Sequence, residues 1–121
     1  MKVIVENVEF EIDDDAEEIY DMLMEEKYYT PCVVNGYLAR KSKKDGSIDF
    51  FHRNYYVIKN PEYIGNLIHK YGHVHHIDLN KCNNKLLNLV MCTREEHEEY
   101  HRLLKIDEEA AGEYFAYVIM A

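Results

Sequence analysis

Between His75 and His101 stand four of the chain's seven histidines, at spacings that suit the holding of a metal ion. His97 and His101 are four residues apart, so on a helix their imidazoles project from one face, an arrangement that lets two histidines bind one cation. A third ligand can come from the adjacent pair His75 and His76 if the segment before the helix packs across that face. Neighbouring residues of a strand point to opposite sides, so one of the pair is expected to ligate and the other to do something else. A neutral imidazole, with an ordinary pKa near 6.5, accepts a proton from water at neutral pH, and a nearby cation lowers that pKa further.

The local signals around these residues describe a hairpin followed by a helix. Val74-His75-His76-Ile77 is a short β-type run, and Leu79 to Lys85 (LNKCNNK) is a loop whose asparagines tolerate left-handed backbone angles. Asn88 to Cys92 (NLVMC) is a second β-type run. Thr93 then fits a helix N-cap, and Glu96 three residues later completes a Thr-x-x-Glu capping box, which predicts a helix from Arg94 to about Lys105.

This order of His-His-Ile-Asp, Asn-rich loop, Asn-Leu, short strand and His-x-x-x-His helix resembles the His-Asn-His (HNH) endonucleases, and among them the three-histidine sites of the DNase colicins. The likeness covers about 31 of the 121 residues. It implies the ββα-metal fold. Position by position it makes His75, His97 and His101 the ligands of one divalent metal, His76 the general base and Asn88 the middle Asn, placed to bond across the loop and fix the His76 ring. The loop from Asp78 to Lys85 is also similar to that of phage and intron HNH proteins. Such relatives often carry a carboxylate or Asn where this chain has His, so the resemblance leaves the ion among Zn, Ni, Mn and Mg, with Zn the one expected to be found bound. The implied reaction is metal-dependent hydrolysis of DNA phosphodiester bonds, by nicking or double-strand cleavage, to 5′-phosphate and 3′-hydroxyl. The family often carries an upstream His-Arg pair, which brings His52 and Arg53 toward the site.

The rest of the chain must position these residues. Residues 2–12 alternate apolar and polar side chains and predict a strand. Residues 13–28 begin with three Asp and place Ala16, Ile19, Tyr20, Leu23 and Met24 at helical spacing, so an acidic amphipathic helix is expected, ended by Thr30-Pro31. Residues 32–59 predict a hairpin or meander around a Lys-rich turn at Lys43 to Gly46, and residues 61–72 a short helix opened by Pro61 and closed by Gly72. A C-terminal helix is expected over 107–121. The expectation is one α+β domain, with residues 1–60 as N-terminal strand, acidic helix and basic hairpin, and 61–106 as the ββα-metal core.

The formal net charge of −9 is unusual for a partner of nucleic acid, because phosphate contacts draw on Lys and Arg. Its distribution matters more than its sum. Residues 1–30 hold eleven acids against two bases, residues 95–121 eight against two, and residues 31–94 four acids against ten bases. The middle can therefore face the DNA substrate, with Arg40, Lys41, Lys43, Lys44, Arg53 and Arg94 as candidate phosphate contacts. The acidic ends are then a solubilising surface, or a docking face for a protein partner or a second copy of the chain. Three cysteines with no Cys-x-x-Cys pair suggest neither a disulfide framework nor a zinc ribbon. No apolar run nears the roughly 20 residues that span a bilayer, so no membrane partner and a cytoplasmic address are expected.

Blander readings stand beside the sharp ones. A lone histidine is usually a surface residue, and the argument for a metal rests on five pattern positions together. Asp78 reads as a loop-capping residue rather than a ligand, and Asn80, Asn83 and Asn84 as turn formers. Arg94 reads equally as an exposed helical residue, and the Lys-rich turn equally as solvated. His69 and His73 read as bystanders, His73 with access to the surroundings of a ligand, and Glu95, Glu98 and Glu99 as an exposed face. The alternative function is a non-catalytic, zinc-stabilised binding module in a phage or restriction assembly.

Overall fold

The computed structural model describes residues 1–65 and 72–120. It is a mixed α+β structure in which two-stranded, three-stranded and two-stranded antiparallel sheets alternate with four α-helices among the described residues. The N-terminal segment is a hairpin rather than the single strand expected: β1 (Lys2–Val5) pairs with β2 (Val8–Glu11), Val3 opposite Phe10 and Val5 opposite Val8. The turn residues Glu6 and Asn7 both have positive φ, 51° and 65°. The inward positions are odd-numbered before the turn and even-numbered after it, as a two-residue connection requires.

The acidic helix is shorter than expected. A 3-10 turn over Asp14–Ala16 leads into α1 (Glu17–Leu23), which ends at Met24. Thr30-Pro31 does not stop it but lies within β3 (Tyr29–Val34), where Pro31 stands opposite Arg40 of β4 (Tyr37–Ser42). Proline is tolerated there because β3 is the outer strand of the order β3-β4-β5, with β5 at Ile48–Phe50. The tight turn between β3 and β4 is Asn35-Gly36, both at positive φ (53° and 84°).

The strand expected to run on through residues 51–59 is instead α2 (Phe51–Lys59), despite its Tyr, Val and Ile. Phe51, Tyr55 and Tyr56 are buried at helical spacing, and a packed face overrides β-propensity. Of the helix expected over 61–72, Pro61–Tyr63 form a 3-10 turn and Gly72 opens a strand. Ile64 and Gly65 continue in helical conformation, and residues 66–71, including His69, lie outside the described residues.

The site-bearing segment comprises β6 (Gly72–His76) paired antiparallel with β7 (Leu89–Thr93), followed by α3 (Arg94–Ile106). Both halves of the capping box form: the Thr93 hydroxyl accepts the Glu96 N–H at 3.1 Å, and the Glu96 carboxylate accepts the Thr93 N–H at 2.9 Å. The chain closes with α4 (Glu108–Tyr114), capped by Asp107, and a π-turn over Phe115–Ile119. No helix among the described residues is long and apolar enough to cross a membrane.

The β6–β7 hairpin divides two apolar clusters. Val74 and Leu89 join the larger, built on Phe10, Ile12, Leu38, Phe51 and Tyr55. Cys92 joins the smaller, with Tyr100, Ala111 and Ile119, and Val90 packs against it. Alternate residues of both strands therefore serve opposite faces, and α3 lies on the side of the smaller cluster. Because the capping box fixes the first turn of α3, Thr93→Ala is expected to destabilise the protein by about 1 kcal/mol, measured as a lower urea midpoint with unchanged m-value. An unchanged midpoint would show that packing alone sets the helix start.

Candidate metal centre

His75 leaves β6 on the α3 side, where its ring lies 5.7 Å from the ring centres of both His97 and His101, which are 4.5 Å from each other. Each of the three offers one ligand nitrogen, and these nitrogens all lie within 4.8 Å of one another. Tyr100 and Phe115 pack on the His75 ring from the smaller apolar cluster. Burial pushes the pKa of His75 and of His97 down to about 4, and neighbouring imidazoles add to the shift, so both rings are neutral at pH 7. The Nε2 of His75 is buried without a hydrogen-bond partner. Such an orphan costs about 1–3 kcal/mol, and a cation would remove the deficit.

A metal ion fits this donor set. Imidazole nitrogens bind zinc at about 2.0–2.1 Å, and the rings need to draw in only modestly to reach such spacing. Three neutral ligands leave the full charge of the cation and an open coordination position. Three acids of α3 are committed elsewhere, Glu96 to the Thr93 N–H at 2.9 Å, Glu98 to Arg94 at 2.9 Å and Glu99 to Arg102 at 2.6 Å. His73, read as a bystander in the sequence, lies face to face on His97, with ring centres 4.6 Å apart and planes within 4°.

His76 points to the other side of β6, toward α2 and β4. Its ring centre is 4.7 Å from that of His52 and 5.7 Å from that of Tyr37. Its Nε2 lies 2.7 Å from Oδ1 of Asn84. An N–H donated there leaves Nδ1 as the unprotonated nitrogen. Asn84 is thus more than the turn former expected: it is 1% exposed, and its backbone N–H is fastened to the Glu11 carbonyl at 2.8 Å. Burial lowers the His76 pKa while the Asn84 contact raises it. Burial pushes His52, which pairs with no acid among the described residues, down to about 3. Although they leave opposite faces, His75 and His76 both line one cleft of about 80 Å³ at the end of β6, together with His97 and His101.

Asn88 does not reach into that cleft. Its Oδ1 accepts the Asp78 N–H at 3.0 Å, and its Nδ2 donates to the Asp78 carboxylate at 2.9 Å and the Asn83 carbonyl at 2.8 Å. Asn88 therefore closes the loop that starts just past His76. Asp78 also accepts from the Asn80 backbone and the Asn83 side chain. The loop's other feature is Leu79, a leucine at φ 64° that is 51% exposed beside the cleft.

The cationic candidates separate. Arg53 is half-buried beside His52, His73 and His97, around a second small cleft, and reaches the Gly72 carbonyl at 3.4 Å. Arg40 is engaged inside the fold: it donates to the Leu23 carbonyl at 2.9 Å, pairs with Asp49 at 3.4 Å and stacks on Tyr29. Lys43 donates to the Glu26 carbonyl, and Arg94 is held by Glu98. Lys41 and Lys44 are exposed on the hairpin. Two cleft residues had no assigned role in the sequence, Tyr37 and Lys81; the Asn-Gly turn precedes Tyr37, and Lys81 counts among the ten bases of residues 31–94.

The unfolded chain protonates its histidines near pH 6.5, whereas His52, His75 and His97 resist protonation until pH 3–4. Below about pH 6.5 the unfolded state therefore binds more protons than the folded one, so stability is full above that pH and declines toward pH 4. Urea midpoints measured in chelator should fall steadily from pH 7 to 5, and His52→Gln should flatten the fall; pH-independent midpoints would contradict these environments. No family model, curated protein or solved structure matches the chain.

Proposed function

We propose that the chain is a metal-dependent HNH endonuclease acting on DNA. The observation that carries this reading is one small cleft holding three convergent imidazoles and a fourth whose Nε2 is tied to Asn84. The succession of β6, β7 and α3 supports a ββα-metal core. His75, His97 and His101 would hold the divalent ion, with Zn the first choice among Zn, Ni, Mn and Mg because imidazole suits transition metals. When bound, that ion supplies positive charge for the phosphoryl oxygens and the departing 3′-oxygen.

The chain's own residues do the remaining work. His76 takes a proton from water at Nδ1 as the water oxygen attacks phosphorus. Asn84 holds the opposite nitrogen of that ring, which fixes both the tautomer and the aim of the lone pair. The phosphorus–3′-oxygen bond breaks, its electron pair leaves with the 3′-oxygen, and protonation from solvent yields a 3′-hydroxyl opposite a 5′-phosphate. Asn88 and Asp78 keep the loop closed so that Asn84 stays in place.

The packing of His75 on Tyr100 and Phe115 favours a second reading, in which zinc fastens α3 to the hairpin of a non-catalytic binding module. Two substitutions separate the readings. His76→Ala should lower cleavage of supercoiled plasmid by about 100-fold or more while metal affinity stays near wild type, assayed below the variant's melting transition because the buried ring and its bond to Asn84 are lost. His97→Ala should weaken metal binding under both readings, and under the second it should also remove most metal-dependent stability. Wild-type protein that leaves plasmid intact with each of the four ions, or a His76→Ala variant that cuts normally, would overturn the nuclease reading.

A further inference from the structure

Lys81 belongs to the loop after β6, yet the β3–β4 turn holds it from three sides. Its Nζ donates to the Asn35 carbonyl at 2.8 Å, across 46 residues of sequence. The same Nζ sits 4.7 Å from the ring centre of Tyr37. A Cβ at Gly36 would stand 3.2 Å from the lysine Cδ, so the glycine gives the side chain room to lie along the turn. No carboxylate among the described residues lies within ion-pair distance of it.

Holding a long cationic side chain in one place costs rotamer entropy. The cation–π contact and one hydrogen bond offset that cost, but they use one of three ammonium donors and leave the charge uncompensated. Lys81 and Tyr37 both line the cleft that holds His75, His76, His97 and His101. A cation tethered at the edge of a cleft of phosphate size, with no carboxylate partner among the described residues, can meet an anion there.

We propose that Lys81, seated on Tyr37 by the Asn35-Gly36 turn, docks a phosphate of the DNA backbone at the cleft. The assignment rests on the nuclease reading for its ligand. It adds a phosphate contact on the Asn-rich loop to the six candidates that sequence charge offered, Arg40, Lys41, Lys43, Lys44, Arg53 and Arg94. The other role available to Lys81 is to staple its loop to the hairpin, which needs the donor and not the charge.

Lys81→Gln separates the two, because glutamine keeps an N–H for Asn35 and removes the charge. Binding of a fluorescent duplex oligonucleotide is measured in chelator, where metal-dependent cleavage cannot occur, over a range of low salt concentrations. The docking role predicts roughly fivefold weaker binding and a salt slope shallower by about one, with recovery of the slope in Lys81→Arg. In the metal-loaded enzyme it predicts a raised KM with kcat little changed. Lys81→Gln with wild-type affinity and slope would overturn the proposal, as would wild-type protein that shows no salt-dependent binding. If Lys81→Gln lowers the melting temperature, Lys81→Arg decides alone: a stable Arg variant without the wild-type slope also overturns it. Failure of the nuclease reading would show separately, as wild-type protein that binds DNA but cuts none with any ion.

Discussion

Successive side chains of a strand face opposite ways, and at the end of β6 that rule sorts two adjacent histidines into two different environments. His75 turns to α3 and the smaller apolar cluster, while His76 turns to α2 and the larger. Had the register of β6 slipped by one residue, Val74 would face the helix and the imidazoles would exchange places. The register is held by burial on both faces, through Val74 and Leu89 on one side and Cys92 on the other. Because the hairpin is the wall between the clusters, the site forms where that wall ends and both sides become accessible together.

The N-terminal hairpin and α2 are tied into this arrangement through the loop that follows β6. Glu11 takes part in two backbone bonds, from its N–H to the Cys82 carbonyl and from the Asn84 N–H to its own carbonyl, both at 2.8 Å. Asp13 accepts from the Tyr55 hydroxyl and from the Leu86 N–H. Asn84 is thereby held at the back of His76 by a strand more than 70 residues earlier in the chain. Asn88 performs the local half of the task, closing the loop on itself. The loop is long and polar, and without these ties its asparagines would have no fixed direction in which to present an oxygen.

The parts legible in the sequence were those decided by short-range chemistry. The Thr93 to Glu96 box marks a helix start with two reciprocal hydrogen bonds, and the four-residue step from His97 to His101 is a property of any α-helix. The hairpin before it was legible from two β-type runs flanking asparagines. Decisions made by tertiary contacts were not. Residues 51–59 carry strand-forming side chains, and it is the packing of Phe51, Tyr55 and Tyr56 into the larger cluster that favours the helix. The position of Asn84 depends on Glu11, and that of Lys81 on Asn35 and Tyr37, which no local pattern links to them. Arg40 counted as surface charge in the sequence, but folding turned its guanidinium onto Tyr29 and the Leu23 carbonyl. One local signal was present and under-read: the shift of apolar positions from odd to even across Glu6 and Asn7.

The cleft beside the three imidazoles has room, at about 80 Å³, for two or three water molecules. Pockets that enclose whole small molecules are several times larger, about 300–1,000 Å³. A ligand of this cleft can insert one compact group and must leave the bulk of itself outside. Under the nuclease reading, discrimination between targets therefore falls to the way the nucleic acid drapes over the exterior, and small molecules shaped to fill the interior would find too little surface to grip.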